Sequence, residues 1–138
     1  MPPGAGGAGP VKYLTPEQVL FIHARLVDET GGAHGVRDLG LLLSAVARPQ
    51  ATFDQQELYA DLFSKAAALL ESLVQNHPFV DGNKRTGITA AAMFLRVNGY
   101  KLAASNAELE RFTFAVVREH PPIPEIAAWF KQNSILGE

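Results

Sequence analysis

A chain of 138 residues with 47% hydrophobic composition can bury one core and has no room for a second domain. Its net charge of −2 and pI near 6.1 argue against a general nucleic-acid or anionic-membrane surface, and the absence of cysteine excludes a disulfide scaffold and thiolate chemistry. Met1 to Pro10 has neither the basic start nor the apolar centre of a secretory signal, and no apolar run reaches membrane-spanning length, so we expect a disordered tail over 1–10, a folded domain over 11–138 and a cytoplasmic location.

The first helix opens at Thr15, an N-cap followed by Pro16 at the first helical position and by Gln18, which completes a capping box. Leu14 is placed to staple onto Val19. Val19, Ile22, His23, Leu26 and Val27 form the buried stripe, and Gly31-Gly32 ends the helix. His23 on this stripe reads as a satisfied core or half-buried residue rather than a ligand.

Asp38 caps a second helix, with Leu39, Leu42, Leu43 and Val46 facing inward and Pro49 as its stop. Arg37 belongs either to an ion pair with Asp38 or to the wall of a ligand site. Gln50 to Phe53 has extended character but cannot form a sheet alone. A third helix, capped by Asp54 with Glu57 at the box position, carries Leu58, Leu62, Ala66, Leu69 and Leu73 at helical spacing and delivers His77.

Pro78 disfavours helical dihedrals at His77, so the third helix should stop at about Asn76. A fourth begins near Gly82 or Asn83 and ends at Asn98-Gly99. Its Ile88 to Val97 stretch, apolar almost all round, is expected at the centre of the molecule. Ser105 and Glu108 box a fifth helix bearing Leu109, Phe112 and Val116, which Pro121-Pro122 stops; a last short helix holds Ile126, Ala127, Trp129 and Phe130. The Phe residues and Trp129 read as core rather than as a base-stacking platform, because few basic residues surround them. No segment demands a strand. The fold class is all-α: a compact single-domain bundle of roughly six helices around a buried central helix.

Chemistry concentrates between His77 and Gly87, in the run His-Pro-Phe-Val-Asp-Gly-Asn-Lys-Arg-Thr-Gly. A tight loop feeding a helix N-terminus offers unpaired N–H groups and about half a unit of positive charge, so it favours an anion. Asn83, Lys84, Arg85 and the Gly82 backbone suit phosphate oxygens, and a polyphosphate is the implied ligand. Asp81 would repel phosphate unless a hard cation lay between them; Mg²⁺ commonly binds through one or two carboxylates and substrate phosphates. His77 is left free as a base. Taken singly, each residue has a plainer reading: a cap for His77, a turn residue for Asp81, a solvated face for Lys84 and Arg85. A mere connection would not need them all together.

The same run resembles the signature of the Fic/Doc superfamily, His-x-Phe-x-(Asp/Glu)-(Gly/Ala)-Asn-x-Arg, through His77, Phe79, Asp81, Gly82, Asn83 and Arg85. Gly35 to Leu42, Ala47 to Phe53 and Asn98-Gly99-Tyr100 extend the resemblance to the death-on-curing (Doc) branch, over roughly Val11 to Asn133. Lys84 stands where adenylylating members have a second glycine and Ile88 where they have a second arginine; the Doc branch shares both departures. Leu43 stands where Doc-like relatives often place an acidic residue.

The resemblance implies transfer of a phosphate-containing group from ATP to a protein hydroxyl. His77 would act as base, Asp81 as Mg²⁺ ligand, and Gly82, Asn83, Lys84 and Arg85 as the phosphate site. Doc-like enzymes bind ATP in a reversed sense that exposes the terminal phosphate, so kinase-like transfer is implied, with a translation elongation factor such as elongation factor Tu as acceptor and an antitoxin as partner. The Gln50 to Phe53 connection would be a flap that holds a target segment. AMP or other nucleotidyl transfer, a noncatalytic partner-binding module of the same fold, and a small metal-dependent hydrolase stay open. Autoinhibited members carry a Ser/Thr-x-x-x-Glu-(Gly/Asn) helix whose Glu pairs with the second arginine. Here only Ser134 to Glu138 comes near it, and Gly137 interrupts that stretch, so no internal switch is expected.

Overall fold

The computed structural model describes residues 9–137, so residues 1–8 of the expected N-terminal tail lie outside the described residues, as does Glu138. Six helices appear among the described residues: α1 (Pro16–Thr30), α2 (Leu39–Ala47), α3 (Leu62–Asn76), α4 (Asn83–Val97), α5 (Asn106–Glu119) and α6 (Ile123–Gln132). Four short strands join them: β1 (Thr52–Phe53), β2 (Gln56–Glu57), β3 (Tyr100–Leu102) and β4 (Ser134–Leu136). A compact helical domain is thus what the patterning implied. Among the described residues, no helix is long and apolar enough to cross a membrane.

The caps act as their residue types require. In α1, Thr15 Oγ1 accepts the Gln18 N–H at 3.2 Å while Gln18 Oε1 accepts the Thr15 N–H at 2.8 Å. Ser105 and Glu108 close the same reciprocal box on α5 at 3.1 and 2.8 Å, and their hydrogen bonds hold the Glu108 carboxyl below the usual glutamate range. Each box satisfies amides that a helix start leaves unpaired.

The bundle does surround a buried helix, but that helix is α3 rather than the Ile88 to Val97 stretch. Ten residues of α3 are buried, and α2, α4 and α6 pack against it. α4 buries one face, with Thr86, Gly87, Ala90, Ala91, Phe94 and Leu95 inward, while Met93, Arg96 and Val97 reach solvent. Gly87 makes the α3–α4 contact possible, since a Cβ there would lie 2.8 Å from Val74 Cγ1 and 3.2 Å from Leu70 Cδ1. Each large apolar side chain buried in this way contributes about 1.5–3 kcal/mol.

The start of α3 also differs from expectation. Asp54 and Gln55 take positive φ values of 55° and 65° and turn β1 back onto β2, pairing Thr52 with Glu57 and Phe53 with Gln56. Asp tolerates that backbone region because its short side chain bonds locally. The true cap is Asp61, which accepts the Ser64 N–H at 2.8 Å, and Leu58 falls outside the helix and is exposed. Glu57 instead leaves the hairpin to meet Lys65 of α3, whose side chain is 1% exposed and also donates to the Pro49 carbonyl at 3.3 Å. A lone acidic residue three positions after a possible cap does not by itself start a helix.

Two leucines of α2 expected to face inward face solvent instead. Leu39 and Leu43 are 56% and 46% exposed, whereas Leu42, Ala45 and Val46 form the inward stripe. The strands β3 and β4 pair antiparallel, Tyr100 with Leu136 and Leu102 with Ser134. Ser134–Leu136 is therefore a strand and not a helix. Phe112 stacks on Trp129 with centroids 3.8 Å apart and meets Phe130 edge-on, as core aromatics do.

Candidate active site

α3 ends at Asn76, and His77 caps it in the left-handed region with φ 50° and ψ 57°. A non-glycine residue held there costs on the order of 1 kcal/mol and persists only where its surroundings hold it. Arg37 does much of that holding. Its guanidinium donates to the His77 carbonyl at 2.6 Å and to the Asn76 carbonyl at 2.8 Å, two acceptors that the helix end leaves unpaired. The N–H groups of Arg37 and Asp38 both reach the Pro78 carbonyl, and Val80 N–H reaches Gly35 O at 3.0 Å. Segment 35–38 and loop 77–80 are thereby tied into one unit. Arg37 is neither paired with Asp38, which caps α2 through Leu41 N–H, nor on the wall of the cleft described below.

The loop closes through two further side chains. Asn83 is buried, its Oδ1 accepting the Phe79 N–H at 2.9 Å and its Nδ2 donating to the Phe79 carbonyl at 3.0 Å. His23 of α1 stacks on the Phe79 ring with centroids 3.8 Å apart, and its Nε2 lies 2.8 Å from the Asp81 carbonyl. A carbonyl only accepts, so Nε2 carries the hydrogen. His23 is the satisfied core residue that its helical stripe implied, but its hydrogen bond positions the site. Nothing in the sequence announces that pairing, because 58 positions separate the two residues.

Gly82 has φ 77°, a conformation open to glycine and strained for most other residues, and it turns the chain into α4. The first intrahelical bond runs from Thr86 N–H to Gly82 O at 2.9 Å. The amides of Asn83, Lys84 and Arg85 precede it and have no acceptor within the helix, which leaves the positive end of α4 ready for an anion. This terminus opens on a cleft of about 600 Å³ between α1, α4 and α5. Asp81, Gly82, Asn83, Lys84 and Arg85 all line it, facing Asn106, Glu110 and Phe114 of α5. His77 is not among the lining residues and stands exposed at the end of α3.

Asp81 is exposed, and its carboxylate accepts Gly82 N–H at 2.9 Å through Oδ1 and Ala33 N–H at 3.2 Å through Oδ2. Lone pairs remain for a cation. Among the described residues no three His, Asp or Glu side chains converge as a metal cluster. That donor set fits Mg²⁺ shared between one carboxylate and phosphate oxygens, and does not fit a cage made by protein alone.

Lys84 and Arg85 are both exposed. The Lys84 ammonium lies 5.5 Å from the centroid of the Phe114 ring, and Phe114 itself is 46% exposed, unlike the core aromatics around it.

The six-helix domain thus brings an anion-favouring helix start, a carboxylate beside it and an exposed histidine at the end of the preceding helix to one loop. The Fic/DOC family model matches residues 13–95, and the chain belongs to that family. It is 60% identical over 93 residues to the protein named "Toxin Doc" of Mycolicibacterium smegmatis, covering 67% of this chain and 69% of that one. It is 33% identical over 92 residues to "Protein kinase doc" of Escherichia phage P1, covering 67% of this chain and 72% of that one.

Proposed function

We propose that this chain is a Doc-like toxin acting in the cytoplasm as a phosphotransferase, moving the terminal phosphate of ATP onto a hydroxyl of a protein acceptor. The observation that carries this reading is the cleft at the start of α4, where three helix-terminal amides, Lys84 and Arg85 can meet a triphosphate beside Asp81. The names of the two relatives, a toxin and a protein kinase, support it.

In the reaction, the acceptor oxygen bonds to the terminal phosphorus, the bond from that phosphorus to the bridging oxygen of the departing ADP breaks, and His77 takes the hydroxyl proton. His77 stands in solvent, as a base must if its partner is a hydroxyl on a macromolecule. Asp81 would hold Mg²⁺ with the phosphates, and the ion when bound neutralises their charge. Ile88 is half-buried on the cleft wall and leaves that wall apolar where an arginine would clamp the nucleotide. Elongation factor Tu is the acceptor to test first, and an antitoxin is the partner that would silence the enzyme.

Mass spectrometry of the acceptor after incubation with ATP and Mg²⁺ tests the reading. An added phosphate is expected. An added nucleotide would replace it with AMP transfer, and an unmodified acceptor together with no nucleotide binding would point to a noncatalytic module.

A further inference from the structure

We propose that Phe114 is a positioning residue for Lys84: its ring holds the ammonium on the α5 side of the cleft, charged and unneutralised, where an incoming triphosphate meets it. The inference rests on the reading of this cleft as a phosphate site.

Lys84 is the second residue of α4, exposed, on a flexible four-carbon stem that would otherwise sample many rotamers. Its Nζ sits 5.5 Å from the Phe114 centroid, within the range at which a ring face attracts a cation. Glu110 lies one helical turn before Phe114 on the same cleft wall, yet Lys84 makes no ion pair with it or with any other described carboxylate. The choice of partner matters chemically. A carboxylate would neutralise the ammonium and repel a triphosphate, whereas an aromatic face orders the cation without adding a negative charge to compete with the ligand.

Among the described residues Phe114 is the one large apolar side chain of α5 that is exposed. Thr113 and Val116 of α5 are buried and Phe112 packs in the aromatic cluster, so the helix does not need Phe114 for the core. The Phe114 ring, 46% exposed on the cleft wall, has the Lys84 ammonium over its face.

The test uses the full chain and inorganic tripolyphosphate, a ligand with no base to stack, titrated with Mg²⁺ into wild type, Phe114→Leu, Phe114→Trp, Lys84→Met and the Phe114→Leu/Lys84→Met double variant. Calorimetry reads the affinity. Phe114→Leu should weaken tripolyphosphate binding about two- to fivefold, Phe114→Trp should restore it, and Phe114→Leu should have no further effect once Lys84 is Met. An equal loss in both backgrounds, or a loss seen with ATP but not with tripolyphosphate, would overturn the inference, the latter because the ring would then be serving the base. If Lys84→Met weakens binding while Phe114→Leu does not, the phosphate site stands and the inference fails. If neither does, the reading of Lys84 as a phosphate ligand fails with it. Because both side chains are exposed, these variants should fold, which a thermal melt of each checks.

Discussion

The imidazole of His23, on the first helix, donates Nε2–H to the main-chain carbonyl of Asp81 at 2.8 Å while its ring lies flat on Phe79. One side chain therefore holds the loop twice, by stacking on Phe79 and by a hydrogen bond to Asp81, the residue that would carry the metal. His23→Phe keeps the ring and removes the donor. It should cost about 1 kcal/mol, near the lower end for a lost buried hydrogen bond because Asp81 is partly hydrated, and it should reduce phosphate transfer. Thermal melts and transfer of γ-labelled phosphate check both effects, and a variant indistinguishable from wild type in both would show the bond to be idle.

His77→Ala tests the proposed base. Removing a general base slows transfer by roughly a hundred- to ten-thousandfold. The helical fold should survive, because Arg37 binds the main-chain carbonyls at the α3 end and not the imidazole. Retention of transfer within a few-fold of wild type, with an unchanged circular dichroism spectrum, would move the role of base elsewhere.

The C-terminal strand offers a test of regulation. Ser134–Leu136 pairs with Tyr100–Leu102, and Gly137 N–H bonds the Gly99 carbonyl at 2.8 Å, so this end of the described chain is a structural strand. Ending the chain after Asn133 should lower the melting temperature by several degrees, as the loss of about 1 kcal/mol would, while activity per folded molecule stays the same. A marked rise in activity would reveal an inhibitory segment after all.

The Lys65–Glu57 pair ties the β1–β2 hairpin to α3, and its pH dependence has a definite sign. Burial alone would lower the Lys65 pKa, but hydrogen bonds and charge from Glu57 and Tyr13 more than offset it and raise the value above that of an ordinary lysine. A raised folded value means that the pair stabilises the protein fully below the unfolded lysine value of about 10.4, and that this increment is lost as pH climbs through the folded value. Lys65→Met should cost roughly 1–2 kcal/mol at neutral pH, less than a fully buried pair would, because Glu57 is exposed and can hydrate. The gap between variant and wild type should narrow at strongly alkaline pH, and hairpin amides should exchange faster in the variant. Hairpin exchange as slow as that of wild type would mean that the pair does not anchor the hairpin.

The sequence by itself determined the local events. Caps at Thr15, Asp38 and Ser105, the stop at His77-Pro78 and the turn into α4 at Gly82 are each set by side chains within a few positions, and the structure has all of them. The density of polar groups from His77 to Arg85 marked the candidate site for the same reason, since its spacing is local. Tertiary structure decided what depends on groups far apart in the chain. Burial of α3 rather than α4 follows from which helix the others surround, and two apolar helices read alone look alike in that respect. Asp54 took a hairpin turn instead of a cap because β1 and β2 could pair and Glu57 could reach Lys65. The roles of Arg37 and His23 also required the fold, because a hydrogen bond across 40 or 58 positions leaves no periodic trace in sequence and exists only once packing brings its two ends together.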